Sequence, residues 1–570
     1  MAKVIDLRIL GVHDGHNASA CLIEDGAITY CIQEERLTNQ KNYAGFPEKS
    51  INCILKLQNL TIHDIDYFAL ASDHTSLDMG DVLSSYKKSL SFKSSVIDLG
   101  TKTPLYNVYK NRIKEKRIKR LTDIGVSKGQ IRFVNHHLCH ASAAYFGSPW
   151  WRDESVLVLT NDGSGDGLCA TVSVGDAGNL KKIAETPKGN SIGNIYSRVT
   201  FLLGLVPWEH EWKIMGMAPY APPKGVEISY NCFRQYLNIE NGDLTFTRGI
   251  TEPTHRIYPR LRRDLEFHRF DWISGGVQQL AEDLLCKWVE NAVSKTQIRK
   301  IALSGGVFMN VKANKRIMEL DCVDDLFVFP SCGDESNAIG AAFAVYADIC
   351  REAGEEVNIK PLKNIYYGPS FSDSDVESAL EQRNYLNVNR ISDIEKEIAS
   401  IIADGGVVAR CKDRMEFGAR ALGNRSILAD PSNYDCVRTI NMMVKKRDFW
   451  MPFAPVMMKE RASEYIINPK NVASPYMMLS FDTTDKRGEF IAGVHQADLT
   501  ARAQILEEEW NVGYYRILKE YETLTGRGVL LNTSFNLHGY PVVYGPEEAL
   551  WVFENSELEH LALGNYLISR

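Results

Sequence analysis

The sequence predicts an α/β chain of two domains: an internally duplicated first domain followed by an α+β second domain. Three observations predict it. At 570 residues the chain is longer than one hydrophobic core ordinarily serves. A strand, Asp-Gly turn, strand unit occurs twice, at Asp14-Gly15 and at Asp162-Gly163. A charged stretch without periodicity, Cys350 to Lys363 (C-R-E-A-G-E-E-V-N-I-K-P-L-K), then marks a junction near residue 360, dividing the chain into 1–360 and 361–570.

Taken in order, Arg8 to Val12 is mostly apolar, Asp14-Gly15 punctuates, and Ala18 to Ile23 is apolar again before Asp25-Gly26. Asp-Gly between such runs is a strong hairpin signal. The pattern returns as Ser155 to Thr160, then D-G-S-G-D-G from Asp162 to Gly167, then Ala170 to Val174. A unit repeated at this spacing is a duplication at domain scale. A third Gly-rich element, Ile301 to Asn310 (I-A-L-S-G-G-V-F-M-N), precedes helix-like Val311 to Met318. Cys332 to Ala342 carries small residues suited to a helix start and close packing. Beyond the junction, Val376 to Ala403 is helix-patterned, Gly405-Gly406 breaks it, and Val407 to Ala409 forms a short buried strand.

Composition narrows the functions. The 44% hydrophobic and 24% charged fractions are those of a globular chain. A formal net charge of −7 argues against a surface that grips a nucleic-acid backbone. One basic run, Lys110 to Arg120, reads first as a solvated helix face and second as a local anion site. The twelve cysteines show no C-x-x-C pair or disulfide rhythm. The charged start M-A-K-V-I-D-L-R-I-L does not resemble an export signal, and runs such as Val199 to Val206 are far short of the ~20 residues that span a bilayer. A cytoplasmic protein without membrane partners is expected.

Glycines let backbone amides approach phosphate oxygens, so Asp162, Gly163, Gly305 and Gly306 point to a nucleotide cleft. In N-H-H-L-C-H-A-S-A-A, from Asn135 to Ala144, a helix would put His136 and His140 one turn apart on one face. That spacing lets two imidazoles bind one metal, with His137 turned elsewhere, toward substrate. Leu138 or Cys139 stands where a zinc protease needs its Glu, so that reading fails. Asp334 is the expected oxygen ligand, and a mixed N/O set favours iron(II), with magnesium or manganese as alternatives. His16, two residues after Asp14, is placed to act as general base on a hydroxyl, against the plainer reading of a turn histidine bonded to backbone.

The second domain gathers Arg414, Arg420 and Arg425, then Lys445, Lys446 and Arg447, then Asn532-Thr533-Ser534-Phe535-Asn536. Guanidiniums among Gly, Ser and Asn bind small dianions, and these are embedded among Met, Phe, Trp and Pro, unlike a solvated run. In the first domain, Trp208, Glu211 and Trp212 offer ring faces and a carboxylate suited to an acceptor pocket for a cationic or flat substrate.

Together these segments resemble the O-carbamoyltransferase family that includes the nodulation-factor, cephamycin and aminoglycoside carbamoyltransferases. The likeness rests on G-V-H-D-G-H-N-A-S-A, E-E-R-L-T, N-H-H-L-C-H-A-S-A, D-G-S-G-D-G, E-H-E-W-K-I-M-G-M-A-P-Y, A-L-S-G-G-V-F-M-N-V, G-D-E-S-N-A-I-G-A-A and N-T-S-F-N, in that order over nearly the whole chain. The resemblance implies an actin/sugar-kinase-type (ASKHA) first domain and a YrdC-like second domain. It implies that carbamoyl phosphate and ATP give carbamoyl-adenylate, whose carbamoyl group passes to a small-molecule alcohol of secondary metabolism. By motif, His136, His140 and Asp334 resemble the family's metal ligands, and Asp14 and His16 its acceptor-activating pair. Lys41, Asp162, Gly305 and Asn310 fall in nucleotide-contacting segments. Arg420, Lys446, Arg447, Arg502, Ser534 and Asn536 fall in carbamoyl phosphate segments. A homodimer is compatible with the reading. The rival readings are a kinase or ATPase of the same superfamily, which leaves the second domain without a purpose; a tRNA-modifying enzyme, which fits the acidic balance poorly, or a hydrogenase-maturation enzyme, which would carry zinc-finger cysteines; and a nucleotide-responsive scaffold without turnover.

Overall fold

The computed structural model describes residues 7–73, 86, 104–381, 383, 385, 387–445, 448 and 450–570, the side chains of 104–107 and 109 excepted. Two compact units result, residues 1–34 with 42–362 and residues 35–41 with 363–570. The excursion 35–41, which a continuous reading leaves in the first domain, belongs with the second unit, where Arg36 Nη2 donates to the Gly418 carbonyl at 2.6 Å.

The first unit contains the duplication as two five-stranded sheets of one topology. Strands β1 (Arg8–His13), β2 (Ser19–Glu24), β3 (Ala27–Gln33), β4 (Tyr67–Ala71) and β5 (Ile131–Val134) lie in the order β3-β2-β1-β4-β5. Strands β6 (Val156–Gly165), β7 (Leu168–Asp176), β8 (Asn179–Pro187), β9 (Lys300–Ser304) and β10 (Asp325–Val328) lie in the order β8-β7-β6-β9-β10. In each sheet the first three strands are antiparallel and the last two run parallel to the first. The Asp14-Gly15 turn follows β1, but Asp162-Gly163, expected as a turn, lies within β6 where its register with β7 shifts after Asn161, and Asp166-Gly167 makes the turn to β7. β1 and β4 are almost wholly buried, as strands covered on both faces must be.

The helices that position the site are α1 (Pro104–Asp123), α2 (His136–Gly147), α3 (Ile192–Leu202), α4 (Glu211–Met217), α5 (Phe270–Thr296), α6 (Val311–Glu319) and α7 (Asn337–Glu352). Small residues let α7 pack backbone to backbone. A Cβ added at Gly11 would stand 1.9 Å from the Ala338 carbonyl oxygen, and one at Gly340 would stand 1.8 Å from the Cys139 carbonyl oxygen. So β1, α7 and α2 form one tight stack, and the run N-A-I-G-A-A is what permits it. The basic run Lys110 to Arg120 lies on α1 and is not a wholly solvated face: Arg117 is buried against Asp14, with both Nη2–Oδ1 and Nε–Oδ2 at 2.8 Å.

The second unit is α+β. Its mixed sheet holds β11 (Asn387–Arg390), β12 (Val408–Cys411), β13 (Arg425–Ala429), β14 (Ala454–Met458), β15 (Gln504–Leu506), β16 (Val529–Ser534), β17 (His560–Leu563) and β18 (Tyr566–Ser569), in the order β11-β18-β17-β12-β13-β16-β14-β15. Strand periodicity of two sorts its residues onto two cores. Leu428, Leu530 and Ala562 face the core closed by α8 (Ile394–Ala403) and α9 (Val512–Thr525), while Ile427, Leu531 and Leu561 face the core closed by α10 (Pro546–Glu554). Among the described residues no helix is long and apolar enough to cross a membrane.

The stack of β1, α7 and α2 makes a direct prediction. Gly340→Ala forces a methyl into backbone and is expected to cost about 3 kcal/mol, in the range of severe overpacking. Gly129→Ala, whose Cβ meets nothing within 4 Å, is expected to be neutral. Scanning calorimetry of the two variants checks both.

Candidate metal centre and hairpin site

The metal-site geometry begins with a helix cap. Asn135 Oδ1 accepts from the backbone N–H of His137 (3.1 Å) and Leu138 (3.4 Å), so α2 starts at His136. His136 and His140 are then one turn apart, as their spacing predicts. Asp162 ends the regular part of β6, and Asp334 opens the short 3-10 turn Asp334–Ser336 that leads into α7. One donor atom from each of these four residues lies within 4.8 Å of the others. His136 Nε2 is 3.2 Å from Asp162 Oδ2 and 3.5 Å from Asp334 Oδ1, and His140 Nε2 is 3.4 Å from each.

The outer atoms of both rings are fixed by hydroxyls. His136 Nδ1 meets Ser72 Oγ at 3.0 Å, and His140 Nδ1 meets Ser304 Oγ at 3.3 Å and Ser336 Oγ at 3.4 Å. This turns both Nε2 atoms toward the carboxylates, the outer-shell arrangement that orients metal-binding imidazoles. Gly165 lies flat on the His136 ring, where an added Cβ would be 2.0 Å from Cδ2. Burial works against the charged form of His140, yet the carboxylates of Asp162 and Asp334 beside it raise its pKa to about 9. Burial would raise the Asp162 carboxyl, but the two histidines pull it well below the usual range.

The donor set fits a divalent ion. Asp334 Oδ1 is buried and has no hydrogen-bond partner among the described residues, which a cation would supply. Two imidazoles with two carboxylates suit iron(II) or a similar intermediate ion. Asp162, read from sequence as a nucleotide contact, stands here as a fourth donor. His137 is not turned to substrate: its Nδ1 meets Thr160 Oγ1 at 2.9 Å, and burial, with His136 and His140 beside it, lowers its pKa to about 3.

The first hairpin turn docks onto the turn of Asp334. Ser19 Oγ donates to the Glu335 carbonyl at 2.8 Å, and Asn17 Nδ2 to Glu335 Oε2 at 3.3 Å. His16 lies on this turn, half-buried, with its ring 5.7 Å from that of Trp208, edge-on. Asp14 accepts through both oxygens from Arg117, which also donates to the carbonyls of Ala71 and Ser72. Asp14 therefore anchors the turn. Trp208 adopts a left-handed φ of 65°, costly for a large side chain. Glu211 Oε1 stabilises that loop by accepting the Trp208 N–H at 2.7 Å, and burial raises the Glu211 carboxyl to about 7. Trp208 also meets Tyr86 at 5.4 Å, so Trp208, Tyr86 and His16 form one aromatic group. Trp212 is turned away, its indole donating to the Glu209 carbonyl at 2.7 Å.

Of the expected nucleotide residues, Gly163, Gly305 and Gly306 sit beside Asp162. Its Oδ1 accepts the Gly163 N–H at 2.7 Å, and a Cβ at Gly306 would stand 3.0 Å from it. Gly305 has a φ of 104° and packs on the Asn161 backbone. The Asn310 side chain caps α6 through Ala313 N at 3.1 Å and pairs with Gln278 at 3.0 and 2.9 Å. Lys41 is exposed, at the end of the excursion that groups with the second unit.

In the second unit, Ser534 and Asn536 come together around a buried ammonium that the resemblance did not single out. Lys445 Nζ donates to Ser534 Oγ (3.1 Å) and to Asn536 Oδ1 (2.6 Å). Arg420 and Arg502 are half-buried, whereas Lys446 and Arg447 lie outside the described residues. Arg425 is a core residue: its Nε donates to the Tyr544 carbonyl and its Nη1 to those of Lys412, Asp413 and Asn424. Arg414 Nε likewise donates to the Gly368 carbonyl at 3.0 Å.

Known proteins bear on this geometry. The family description "Carbamoyltransferase N-terminus" matches residues 8–343, and "Carbamoyltransferase C-terminus" matches residues 399–570. A Methanocaldococcus jannaschii protein, MJ1051, is 31% identical over 99% of both chains. The nodulation protein NolNO of Sinorhizobium fredii is 31% identical over 99% of this chain and 80% of its own. A crystal structure of full-length HypF in the phosphate- and nucleotide-bound form aligns over 62% of this chain and 57% of that one, at 14% identity and a TM-score of 0.33, too weak a likeness to build on.

Calorimetric titration of the metal-free protein with iron(II), under anaerobic conditions, tests the centre. One ion is expected to bind, with Asp162→Asn abolishing tight binding and Ser304→Ala weakening it about tenfold, the usual scale for an outer-shell partner.

Proposed function

The chain belongs to the carbamoyltransferase family and is a carbamoyltransferase, and we propose that it performs an ATP-dependent O-carbamoylation in two steps, one on each unit. On the second unit, water hydrolyses carbamoyl phosphate to phosphate and carbamate, and a carbamate oxygen attacks the α-phosphorus of ATP. Pyrophosphate leaves and carbamoyl-adenylate remains. Lys445, held by Ser534 and Asn536, with Arg420 and Arg502, supplies positive charge for phosphate oxygens. Arg447 and Lys446 join this set by motif.

On the first unit, the oxygen of a small-molecule alcohol attacks the carbamoyl carbon, the bond to AMP breaks, and AMP leaves with the electron pair. His16 takes the hydroxyl proton. Trp208 beside it forms a wall for the acceptor, with Glu211 holding the loop. A divalent ion, iron(II) by the donor set, would be held by His136, His140, Asp162 and Asp334, and its charge would favour departure of the phosphate. Gly163 and Gly306 would let a phosphate approach beside that cluster, while Gly305 lets the chain pack on the Asn161 backbone.

One observation supports this reading above the others: the turn of His16 and the turn of Asp334 are hydrogen-bonded to each other through Ser19, Asn17 and Glu335. A base and a cation site are thereby held together, as transfer from an adenylate to an alcohol needs. A kinase of the same fold would use the first unit alone and leave Lys445, Ser534 and Asn536 without a role.

The test is ATP–pyrophosphate exchange without acceptor. Exchange is expected only with carbamoyl phosphate present. Lys445→Ala should lower it tenfold or more, on the order of a lost charge-assisted contact. His16→Ala should leave exchange intact while carbamoyl transfer falls about 100-fold or more, the scale of a lost general base. ADP formation, with no exchange, would instead establish a kinase.

A further inference from the structure

We infer that His13 is a positioning residue for His16, through its hydrogen bond to the turn that carries it; the inference rests on reading His16 as the base of the transfer step. His13 ends β1 and is only 1% exposed. Its Nε2 lies 2.9 Å from the His16 carbonyl oxygen. A carbonyl cannot donate, so Nε2 carries the proton. Burial, with smaller opposing effects from Asp334 and Asp14, lowers the pKa of His13 and keeps the ring neutral. Nδ1 is then a bare acceptor, and among the described residues it is buried without a hydrogen-bond partner.

The turn needs such a clamp. Asn17 follows His16 with a left-handed φ of 58°, and the turn is otherwise fixed from outside the hairpin. Gly45 N–H donates to the Gly15 carbonyl at 3.2 Å, Ala18 N–H to the Tyr43 carbonyl at 3.0 Å, and Asn17 and Ser19 reach Glu335. The Gly45 bond holds the Gly15–His16 peptide plane, and the plane that carries the His16 carbonyl is left to another contact. The His13 N–H makes that contact, and so sets where the His16 ring stands relative to Trp208 and to the turn of Asp334. His13 touches neither the reacting atoms nor the cation donors in this arrangement, so it acts through His16.

Glutamine and asparagine separate the two ring nitrogens. The glutamine amide reaches the place of Nε2, and the shorter asparagine amide reaches only that of Nδ1. The readout is acylation of His16 by diethyl pyrocarbonate, followed by peptide mass spectrometry across pH, which needs no acceptor. His13→Gln is expected to keep the wild-type rate and pH midpoint at His16. His13→Asn is expected to change the rate about fivefold, the factor for one hydrogen bond, or to move the midpoint. If the two variants behave alike, whether both match the wild type or both depart from it, the inference falls. Carbamoyl phosphate-dependent ATP–pyrophosphate exchange, measured on the same preparations, keeps the two readings apart. Its absence in the wild type would overturn the proposed reaction and leave the His13 comparison standing.

Discussion

The first unit depends on one close approach, the packing of α7 against β1 and α2 with no side chain between them. Gly11 on β1 faces the Ala338 carbonyl, and Gly340 faces the Cys139 carbonyl one residue before His140. That stack sets the distance from the start of α7, where Asp334 sits, to the helix that bears His136 and His140. A methyl of extra thickness would move the carboxylate out of reach of both imidazoles. The spacing of the four donor side chains is thus decided by backbone packing.

The cost of that arrangement is electrostatic. Two imidazoles and two carboxylates, mostly withdrawn from water, hold each other in shifted protonation states, with His140 raised and Asp162 lowered. Among the described residues, Asp334 keeps an oxygen without a hydrogen bond. Clusters that perturb each other in this way mark functional centres more often than structural ones. The hairpin turn of His16 adds a second preorganised element, anchored below by the Asp14–Arg117 pair and above by Glu335. Strain at Trp208 is confined to the wall that faces His16, where a rigid surface has a use.

Much of this was legible in the sequence, and what escaped did so for physical reasons. Asn135 before two histidines four apart fixes helix phase locally, so the pair could be read from spacing alone. The repeated strand and Asp-Gly pattern announced a duplication at domain scale, although Asp162-Gly163 lies inside a strand and not at its turn. Asp162 as a fourth donor could not be read, because it depends on β6 ending against α2, a contact between distant segments. Arg117 was hidden within a basic run, since nothing local tells which of several cations on a helix turns inward. Asn310 and Trp212 look like ligand residues by type, yet one caps a helix and the other bonds a neighbouring carbonyl. His13 escaped because a histidine that bonds to backbone has no signature of its own. Lys445 was visible as one of three adjacent basic residues, but its choice by Ser534 and Asn536 belongs to tertiary structure.

The proposed scheme assigns its two steps to different chemistries: buried cations and short hydroxyl and amide side chains in the second unit, and an imidazole base and a cation site in the first. The direct test of that division is carbon-13 NMR of the His136→Ala/His140→Ala double variant, given carbon-13-labelled carbamoyl phosphate and ATP. If the cation site serves transfer alone, carbamoyl-adenylate forms with release of pyrophosphate and persists in the presence of alcohols that the wild type consumes. If no adenylate forms once the two histidines are gone, the site belongs to the first step, and the division proposed here is wrong.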